Sequence, residues 1–176
     1  AQGLRADQQA AADSGVKAMV PIDRPFLDYV LSTVADTGVE QVCLVIGPTH
    51  TEIRDYYDKT DAQRLRFAFA VQQEPLGTAH ALAAARSFAD GEDVLVINGD
   101  NHYPLAALQA LADLSGPGMI GFDATGLCEM GNIPAERISG FAVIDTDDDG
   151  CLRGIVEKPS AAWLAQRSGV QSVSMN

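Results

Sequence analysis

Apolar residues occur in short blocks along this chain, and the blocks follow two different spacings. One kind is a continuous run rich in β-branched and aromatic side chains, which is too short for a helix and predicts a strand buried on both faces. The clearest runs cover residues 41–46, 66–71 and 93–97. The other kind repeats at helical spacing and predicts a helix that buries one stripe and ends at Gly38. Its apolar positions are Phe26, Leu27, Val30, Leu31 and Val34.

Predicted strands and helices alternate through most of the chain. Alternation of this kind implies parallel strands connected by crossover helices that cover the sheet. The sequence therefore predicts an α/β fold, a Rossmann-like three-layer α/β/α arrangement around a mostly parallel mixed sheet. The remaining elements of the pattern are a strand over residues 118–122 and helices over residues 51–58, from 77 or 78 to about 89, and 104–111.

The pattern changes after residue 138. Residues 140–144 and 152–156 are apolar runs on either side of an acidic turn, which is typical of an antiparallel hairpin. At 176 residues the chain is long enough for a core of its own, and we expect a single domain over residues 1–176. That domain is expected to be incomplete at both ends, because the chain starts without Met and stops within a predicted strand.

The run at 93–97 is followed by Asn98-Gly99-Asp100-Asn101, and this junction is the first candidate site. In open α/β sheets, ligands bind in the crevice beyond the carboxyl ends of the strands. Asp100 would place a carboxylate at that edge, where a cation or a phosphate-bearing ligand could bind. The alternative is that these residues only form a turn.

The second candidate site is the loop from Gln72 to Thr78, between a strand and a helix. Gly77 allows close approach of the backbone, and the start of the helix offers unpaired N–H groups. Gln72 can donate and accept at once, as the edge of a nucleobase requires. The alternative is an ordinary loop with Thr78 as N-cap, and His80 is interpreted as a packing or surface residue. A right-handed crossover would bring residues 72 and 100 to one sheet edge, which favours the functional interpretation.

Composition argues against several classes of protein. Hydrophobic residues make up 47% of the chain, which argues against disorder. The net charge of −12 argues against nucleic-acid binding, which needs a basic surface, but not against a small phosphorylated ligand. The apolar runs are shorter than a membrane span requires. Three widely spaced cysteines indicate neither a disulfide framework nor a zinc site, so a cytoplasmic location is expected.

Four motifs together resemble the sugar-1-phosphate nucleotidyltransferases, also called nucleoside-diphosphate-sugar pyrophosphorylases. Each motif is weak alone, but their order and spacing match the family over nearly the whole chain. They lie at residues 17–25, 72–81, 98–101 and 156–159. The resemblance implies the nucleotide-diphospho-sugar transferase type of fold, with Mg²⁺ as cofactor. It also implies transfer of a nucleotidyl group, expected to be uridylyl or thymidylyl, from a nucleoside triphosphate to a sugar-1-phosphate, with release of pyrophosphate.

The resemblance also implies roles for particular residues. Lys17 and Asp100 match the catalytic positions, and Asp100 matches the metal-binding aspartate as well. The positions matched to nucleotide binding are Gly3, Gln72, Gly77, Thr78 and Gly99. The positions matched to sugar-phosphate binding are Ala142, which replaces the family's glycine, Glu157, Lys158 and Asn176. Because Pro159 follows Lys158, we expect Lys158 to be extended.

The chain also departs from the family pattern, and two other functions stay open. It has only residues 1–5 where the family carries a strand and a glycine-rich phosphate loop, and the family's second metal-binding aspartate lies beyond residue 176. One alternative is a catalytically silent relative that binds nucleotide sugars and regulates a partner. The other is a cytidylyltransferase that acts on a phospho-alcohol, which would not need Glu157 and Lys158. The sequence does not fix whether the protein forms a homo-oligomer.

Overall fold

The computed structural model describes residues 5–13, 16–131, 133–160, 162–163 and 172–175. The chain divides into two compact units, Ala1–Asp113 and Leu114–Asn176. The elements of the first unit are α1 (Ala6–Asp13), a 3₁₀ turn (Lys17–Met19), α2 (Phe26–Asp36), β1 (Gln41–Ile46), α3 (Thr51–Tyr57), β2 (Arg66–Val71), α4 (Thr78–Ala84), α5 (Arg86–Ala89) and α6 (Leu105–Ala112). Those of the second unit are β3 (Phe122–Asp123), α7 (Ala124–Glu129), α8 (Ala135–Ile138), β4 (Ala142–Thr146), β5 (Leu152–Val156) and β6 (Ser172–Ser174).

The first unit is built on two parallel strands and one amphipathic helix. β1 and β2 pair in register, from Gln41 opposite Arg66 to Ile46 opposite Val71. α2 buries the stripe that its helical spacing predicts, and Gly38 follows the helix with a φ of +88°. The buried positions of that stripe are Leu27, Val30, Leu31 and Val34. The parallel pair and the helix packed beside it confirm the α/β prediction for this unit.

The apolar run at residues 93–97 is not a strand buried on both faces, and that prediction is wrong. Among the described residues the run belongs to no strand ladder, and Val94 and Val96 are 42% and 38% exposed. Ile97, in contrast, packs against the core of the unit. The physical reason is the gap beside it, because this run and β1 line the same cavity. Apolar residues alone do not make a ladder when no neighbouring strand lies at hydrogen-bonding distance.

The helix that follows the Gln72 loop is shorter than predicted. It is interrupted at Ala85, which separates α4 from α5. Its end is at the predicted place, since Asp90 and Gly91 have positive φ angles of 46° and 88°. α6 begins directly after Pro104, in agreement with the preference of proline for helix starts.

The second unit contains a four-stranded antiparallel sheet in the order β3-β6-β4-β5. β4 and β5 form the predicted hairpin, which pairs Val143 with Val156. In its acidic turn, Asp147 Oδ1 accepts hydrogen bonds from the N–H groups of Asp149 and Cys151, at 3.1 and 2.8 Å. This side chain thereby closes the turn locally.

The strand predicted over residues 118–122 is much shorter in the structure. Only Phe122 and Asp123 pair, and they pair antiparallel with β6. The core of this unit includes Ala124, Leu127, Val143 and Val173. Within the described ranges, residues 118–121 belong to no strand ladder, so this part of the predicted strand is absent.

Candidate functional site

One cavity in the first unit is lined by every described candidate residue of that unit. Its volume is about 730 Å³, and its lining includes all of β1 and residues 93–100. Residues 72 and 100 therefore face the same space, although 93–97 is not part of a ladder. The candidates that line the cavity are Lys17, Gln72, Gly77, Thr78, Gly99 and Asp100.

Gln72 is held at the end of the parallel strand pair and bonded within its own loop. Its N–H donates to the Ile46 carbonyl at 2.9 Å, directly after the last pair of the β1–β2 register. Its side-chain Nε2 donates to the Gly77 carbonyl at 3.0 Å and lies 3.2 Å from Nδ1 of His80. The amide nitrogen is thus occupied inside the loop. This differs from the expectation that Gln72 offers a donor and an acceptor at once.

Gly77 has a conformation that only glycine adopts readily. Its φ is +98°, and an added Cβ would meet no atom within 4 Å. The requirement for glycine is therefore conformational and does not come from lack of space. Gly77 is also the N-cap of α4 and makes no side-chain cap. Thr78 is the first helical residue, so the alternative in which it caps the helix is wrong.

The turn at residues 98–101 leaves the Asp100 carboxylate exposed. Tyr103, which is buried, anchors this turn, because its hydroxyl accepts hydrogen bonds from the Asn98 N–H and the Asn101 Nδ2, each at 3.4 Å. Within the described part of the chain, no hydrogen bond or ion pair involves the Asp100 side chain. The turn is thus fixed through its neighbours while the carboxylate stays available to a ligand.

Lys17 and Gly99 are the remaining candidates in the lining of the cavity. Lys17 begins the 3₁₀ turn and is exposed. A Cβ added at Gly99 would lie 3.4 Å from Leu27 Cδ1 and 3.7 Å from Ala18 Cβ, which is close to ordinary contact. Gly99 is therefore not required for space, and any contribution to binding comes from its backbone.

Asp100 fits a cation that is held mainly by its substrate. In the described ranges there is no group of three or more His, Cys, Asp and Glu side chains that could hold a metal ion. Mg²⁺ is commonly bound by one or two carboxylates, with phosphates and water as the remaining ligands. A single exposed carboxylate suits that mode and does not suit a closed site made by protein alone.

In the second unit, Glu157 and Lys158 follow β5 and are exposed. Lys158 has a φ of +44°, so the expectation that it is extended is wrong. Proline disfavours the right-handed helical region for the residue before it, and here the backbone takes the left-handed region instead. Because the chain turns after β5, the alternation of a regular strand does not force the two side chains to opposite faces.

The other candidates differ in accessibility. Ala142 is 3% exposed within β4, where it pairs with Ser174. Its methyl group is therefore buried inside the second unit. Gly3 and Asn176 lie outside the described residues.

Sequence reasoning missed two residues that contact the candidates. The sequence predicts a packing or surface residue at His80, and in the structure this half-buried residue also contacts Gln72, with Nδ1 3.2 Å from Nε2. Its position early in the helix after the loop was the available signal, because such a residue can reach back to the loop. The motifs do not single out Tyr103, although a tyrosine two residues after Asn101 can bond to the turn that it follows.

A separate polar cluster connects α2 and α3. The hydroxyls of Tyr56 and Tyr57 donate to the two carboxylate oxygens of Asp28, at 2.9 and 2.8 Å. Burial raises the pKa of Tyr57 well above its usual range, and the hydrogen bond to Asp28 raises it further. The pKa of Tyr56 is raised for the same reasons, burial first. This cluster is a structural contact between two helices.

A comparison with protein families identifies the class to which this chain belongs. A family model described as nucleotidyl transferase matches residues 13–172. The chain belongs to the nucleotidyl transferase family, and the resemblance carried by the four motifs is confirmed. None of the helices in the described part of the chain has the length and apolarity needed to cross a membrane.

Individual relatives differ in the nucleotide that their names specify. The chain is 28% identical over 155 residues to glucose-1-phosphate thymidylyltransferase of Streptomyces antibioticus, covering 83% of this chain and 40% of that protein. It is 26% identical over 190 residues to UTP–glucose-1-phosphate uridylyltransferase YngB of Bacillus subtilis, covering 91% of this chain and 62% of that protein. The chain thus spans less than two thirds of either relative.

A solved structure shows the fold. HddC from Yersinia pseudotuberculosis complexed with GMP-PN superposes with a TM-score of 0.63 at 24% identity, covering 89% of this chain and 61% of that chain. At this identity the similarity concerns the fold alone. The predicted nucleotide-diphospho-sugar transferase type of α/β fold is confirmed.

Proposed function

We propose that this protein transfers a nucleotidyl group from a nucleoside triphosphate to a sugar-1-phosphate, giving a nucleoside-diphosphate sugar and pyrophosphate. The observation that carries the proposal is the cavity of the first unit, which six candidate residues of a nucleotidyl transferase line together. The four motifs and the names of the relatives support the same reaction. Neither alternative function has a specific observation in its favour.

In the proposed reaction, an oxygen of the sugar phosphate attacks the α-phosphorus of the triphosphate. A new phosphorus–oxygen bond forms while the bond between the α-phosphorus and the bridging oxygen to the β-phosphate breaks. Pyrophosphate leaves with that electron pair, so no covalent bond to the protein is needed. Catalysis then depends on positioning the two phosphates and stabilising their negative charge.

We assign a separate role to each candidate residue of the first unit. The exposed Lys17 ammonium stabilises phosphate charge, and Gln72 contacts the base. Gly77, at φ +98°, allows the backbone of the loop to approach the nucleotide. Thr78 and Gly99, which line the same cavity, are proposed to contact the nucleotide as well. When bound, a divalent cation, proposed to be Mg²⁺, supplies positive charge to the phosphate oxygens, and Asp100 is the described residue that would hold it.

In the second unit, Glu157 and Lys158 are proposed to bind the sugar phosphate. Glu157 accepts hydrogen bonds from sugar hydroxyls, and the Lys158 ammonium contacts the phosphate. Both side chains are exposed and follow the end of a strand, which leaves them accessible. Ala142 would contribute through its backbone, since its methyl group is buried.

We further propose that the transferred group is uridylyl or thymidylyl. Uracil and thymine both present a ring N–H to an acceptor such as the Gln72 carbonyl oxygen. Guanine presents a ring N–H as well, so GTP is the competing substrate that has to be tested.

A matrix of triphosphates and sugar-1-phosphates, with pyrophosphate release and product formation as readouts, tests the proposal. We expect turnover with UTP or dTTP and at least one sugar-1-phosphate, dependent on a divalent cation. Turnover of CTP with a phospho-alcohol such as phosphocholine would favour the cytidylyltransferase. Binding of a nucleotide sugar with no turnover of any pair would favour the silent regulatory relative.

A further inference from the structure

We infer that His80 is a positioning residue for Gln72, and that it fixes which end of the Gln72 amide is offered to a bound nucleobase. The inference rests on the proposed function, because it concerns base selection in the same cavity. Gln72 is one of the residues that line the cavity, whereas His80 contacts it from α4 and is not part of the lining. His80 would therefore act through Gln72 and not by touching the base.

The orientation of the amide follows from its partner in the loop. A carbonyl oxygen can only accept, so the Gln72 nitrogen, and not its oxygen, has to face the Gly77 carbonyl at 3.0 Å. The same nitrogen lies 3.2 Å from Nδ1 of His80. An amide NH₂ has two hydrogens and accepts none, so Nδ1 has to carry a lone pair. With Nδ1 as the acceptor, the ring hydrogen is on Nε2.

The consequence concerns the Gln72 carbonyl oxygen. Both amide hydrogens are directed to Gly77 and His80, and among the described residues no donor is bonded to Oε1. The atom left for a ligand is thus an acceptor. An acceptor complements the ring N–H of uracil, thymine or guanine. Placed opposite the corresponding ring nitrogen of cytosine or adenine, the same oxygen would face a lone pair, which is a source of discrimination.

His80 matters because a terminal amide torsion is soft. With His80 absent, the hydrogen bond to Gly77 alone opposes rotation of the amide, and a rotated amide offers its NH₂ group to the cavity. Loss of one hydrogen bond is a modest effect in free energy. We therefore expect loss of His80 to reduce the preference between the two groups of bases by about fivefold.

The test compares His80→Leu, His80→Asn, Gln72→Leu and the double variant His80→Leu/Gln72→Leu in full-length protein. The specificity constant kcat/KM is measured for UTP, dTTP, GTP, CTP and ATP, with the sugar phosphate saturating. Asn is included because its Oδ1 can accept where Nδ1 of His80 accepted. In wild-type protein, the imidazole ¹⁵N chemical shifts report directly whether the hydrogen is on Nε2.

We expect His80→Leu to narrow the preference for bases with a ring N–H by about fivefold, with the KM for the sugar phosphate unchanged. His80→Asn should restore most of the preference. In the Gln72→Leu background, His80→Leu should cause no further loss of the preference between bases. If His80 only stabilised the fold, its loss would have the same effect in both backgrounds.

An unchanged preference in His80→Leu overturns the inference, and so does further narrowing in the double variant or an imidazole with its hydrogen on Nδ1. These outcomes leave the proposed function intact, because each can occur in a wild-type protein that turns over its substrates. A wild-type protein that turns over no pair overturns the proposed function itself, and the role of His80 in base selection with it.

Discussion

The two polar loops that line the cavity of the first unit are built in opposite ways. In the loop after β2, the Gln72 side chain is bonded to Gly77 of the same loop and to His80 of α4, so its amide nitrogen is held on both sides. In the turn at residues 98–101, the bonds go to Tyr103 from the neighbours of Asp100, and the carboxylate itself has no partner among the described residues.

Loops of these two kinds allow one cavity to select a base and to hold a cation. A group that selects between similar bases has to be held in one orientation, because discrimination depends on which of its atoms is presented. A group that meets a cation and phosphates needs a free charge, because its partners arrive with the substrate. The first loop is therefore expected to control specificity, and the second to control turnover.

The largest effect is expected at Asp100. Asp100→Asn keeps the size and removes the charge, and should lower kcat by about a hundredfold or more, as removal of one charge-stabilising group does. Steady-state kinetics at saturating substrates measure it. Asp113→Asn, an exposed position just after α6, is the matched control and should stay near wild type. Near-normal turnover in Asp100→Asn would contradict the assignment.

A smaller effect, on specificity, is expected at Gln72. Gln72→Ala should weaken binding of the preferred triphosphate by about 1–3 kcal/mol, the range for polar groups left unpaired, and should narrow the gap between bases. Titration of each triphosphate measures both quantities. Gln73→Ala, the exposed neighbour, serves as control. Weaker binding with the same base ranking would indicate that Gln72 is structural.

In the second unit, changes should affect the other substrate. Glu157→Gln and Lys158→Ala should each raise the KM for the sugar phosphate by about tenfold, as loss of a hydrogen bond to a charged group would, with little change in the KM for the triphosphate. Kinetics with each substrate varied separately measure the difference. Arg153→Ala, an exposed residue of β5, is the control. Equal effects on both substrates would remove Glu157 and Lys158 from the sugar-phosphate site.

The smallest effect is expected at Tyr57, which lies outside both loops. Its substitution should change the pH dependence of stability and leave turnover unaffected. Because the pKa of Tyr57 is raised in the folded protein, its stabilisation is complete below the ordinary tyrosine pKa of about 10 and is lost as the pH rises above it. Tyr57→Phe cannot ionise, so its free energy of unfolding should fall less steeply with pH in that range. Urea unfolding at several alkaline pH values measures the slope. A wild-type slope in Tyr57→Phe would contradict the prediction.

Sequence patterns predicted the elements whose signal is local. The stripe on α2, the strands β1 and β2, and the β4–β5 hairpin depend on residues close together in the chain, and all are present. The run at residues 93–97 has the composition of a buried strand, but a strand also needs a partner across the ladder, which composition does not report. Lys158 shows the same limit, since proline restricts the preceding residue without selecting between the regions that remain.

The order of the motifs predicts the candidate residues, but it does not predict the hydrogen bonds that these residues make. Nothing in the spacing of Gln72, Gly77 and His80 indicates that both amide hydrogens are used inside the loop. The orientation of an amide depends on which acceptors surround it, and those positions are set by the fold. The free carboxylate of Asp100 likewise depends on Tyr103 bonding to the turn through other groups.

The central claim is that the Gln72 loop selects the base and the turn at residues 98–101 holds the cation. The most direct test is triphosphate binding with and without Mg²⁺, measured by titration for wild type, Asp100→Asn and Gln72→Ala. We predict that Asp100→Asn loses the dependence on Mg²⁺ and keeps the base ranking, while Gln72→Ala keeps the dependence and loses the ranking. If either variant loses both properties, or if each loses the property assigned to the other, the two loops do not have separate tasks.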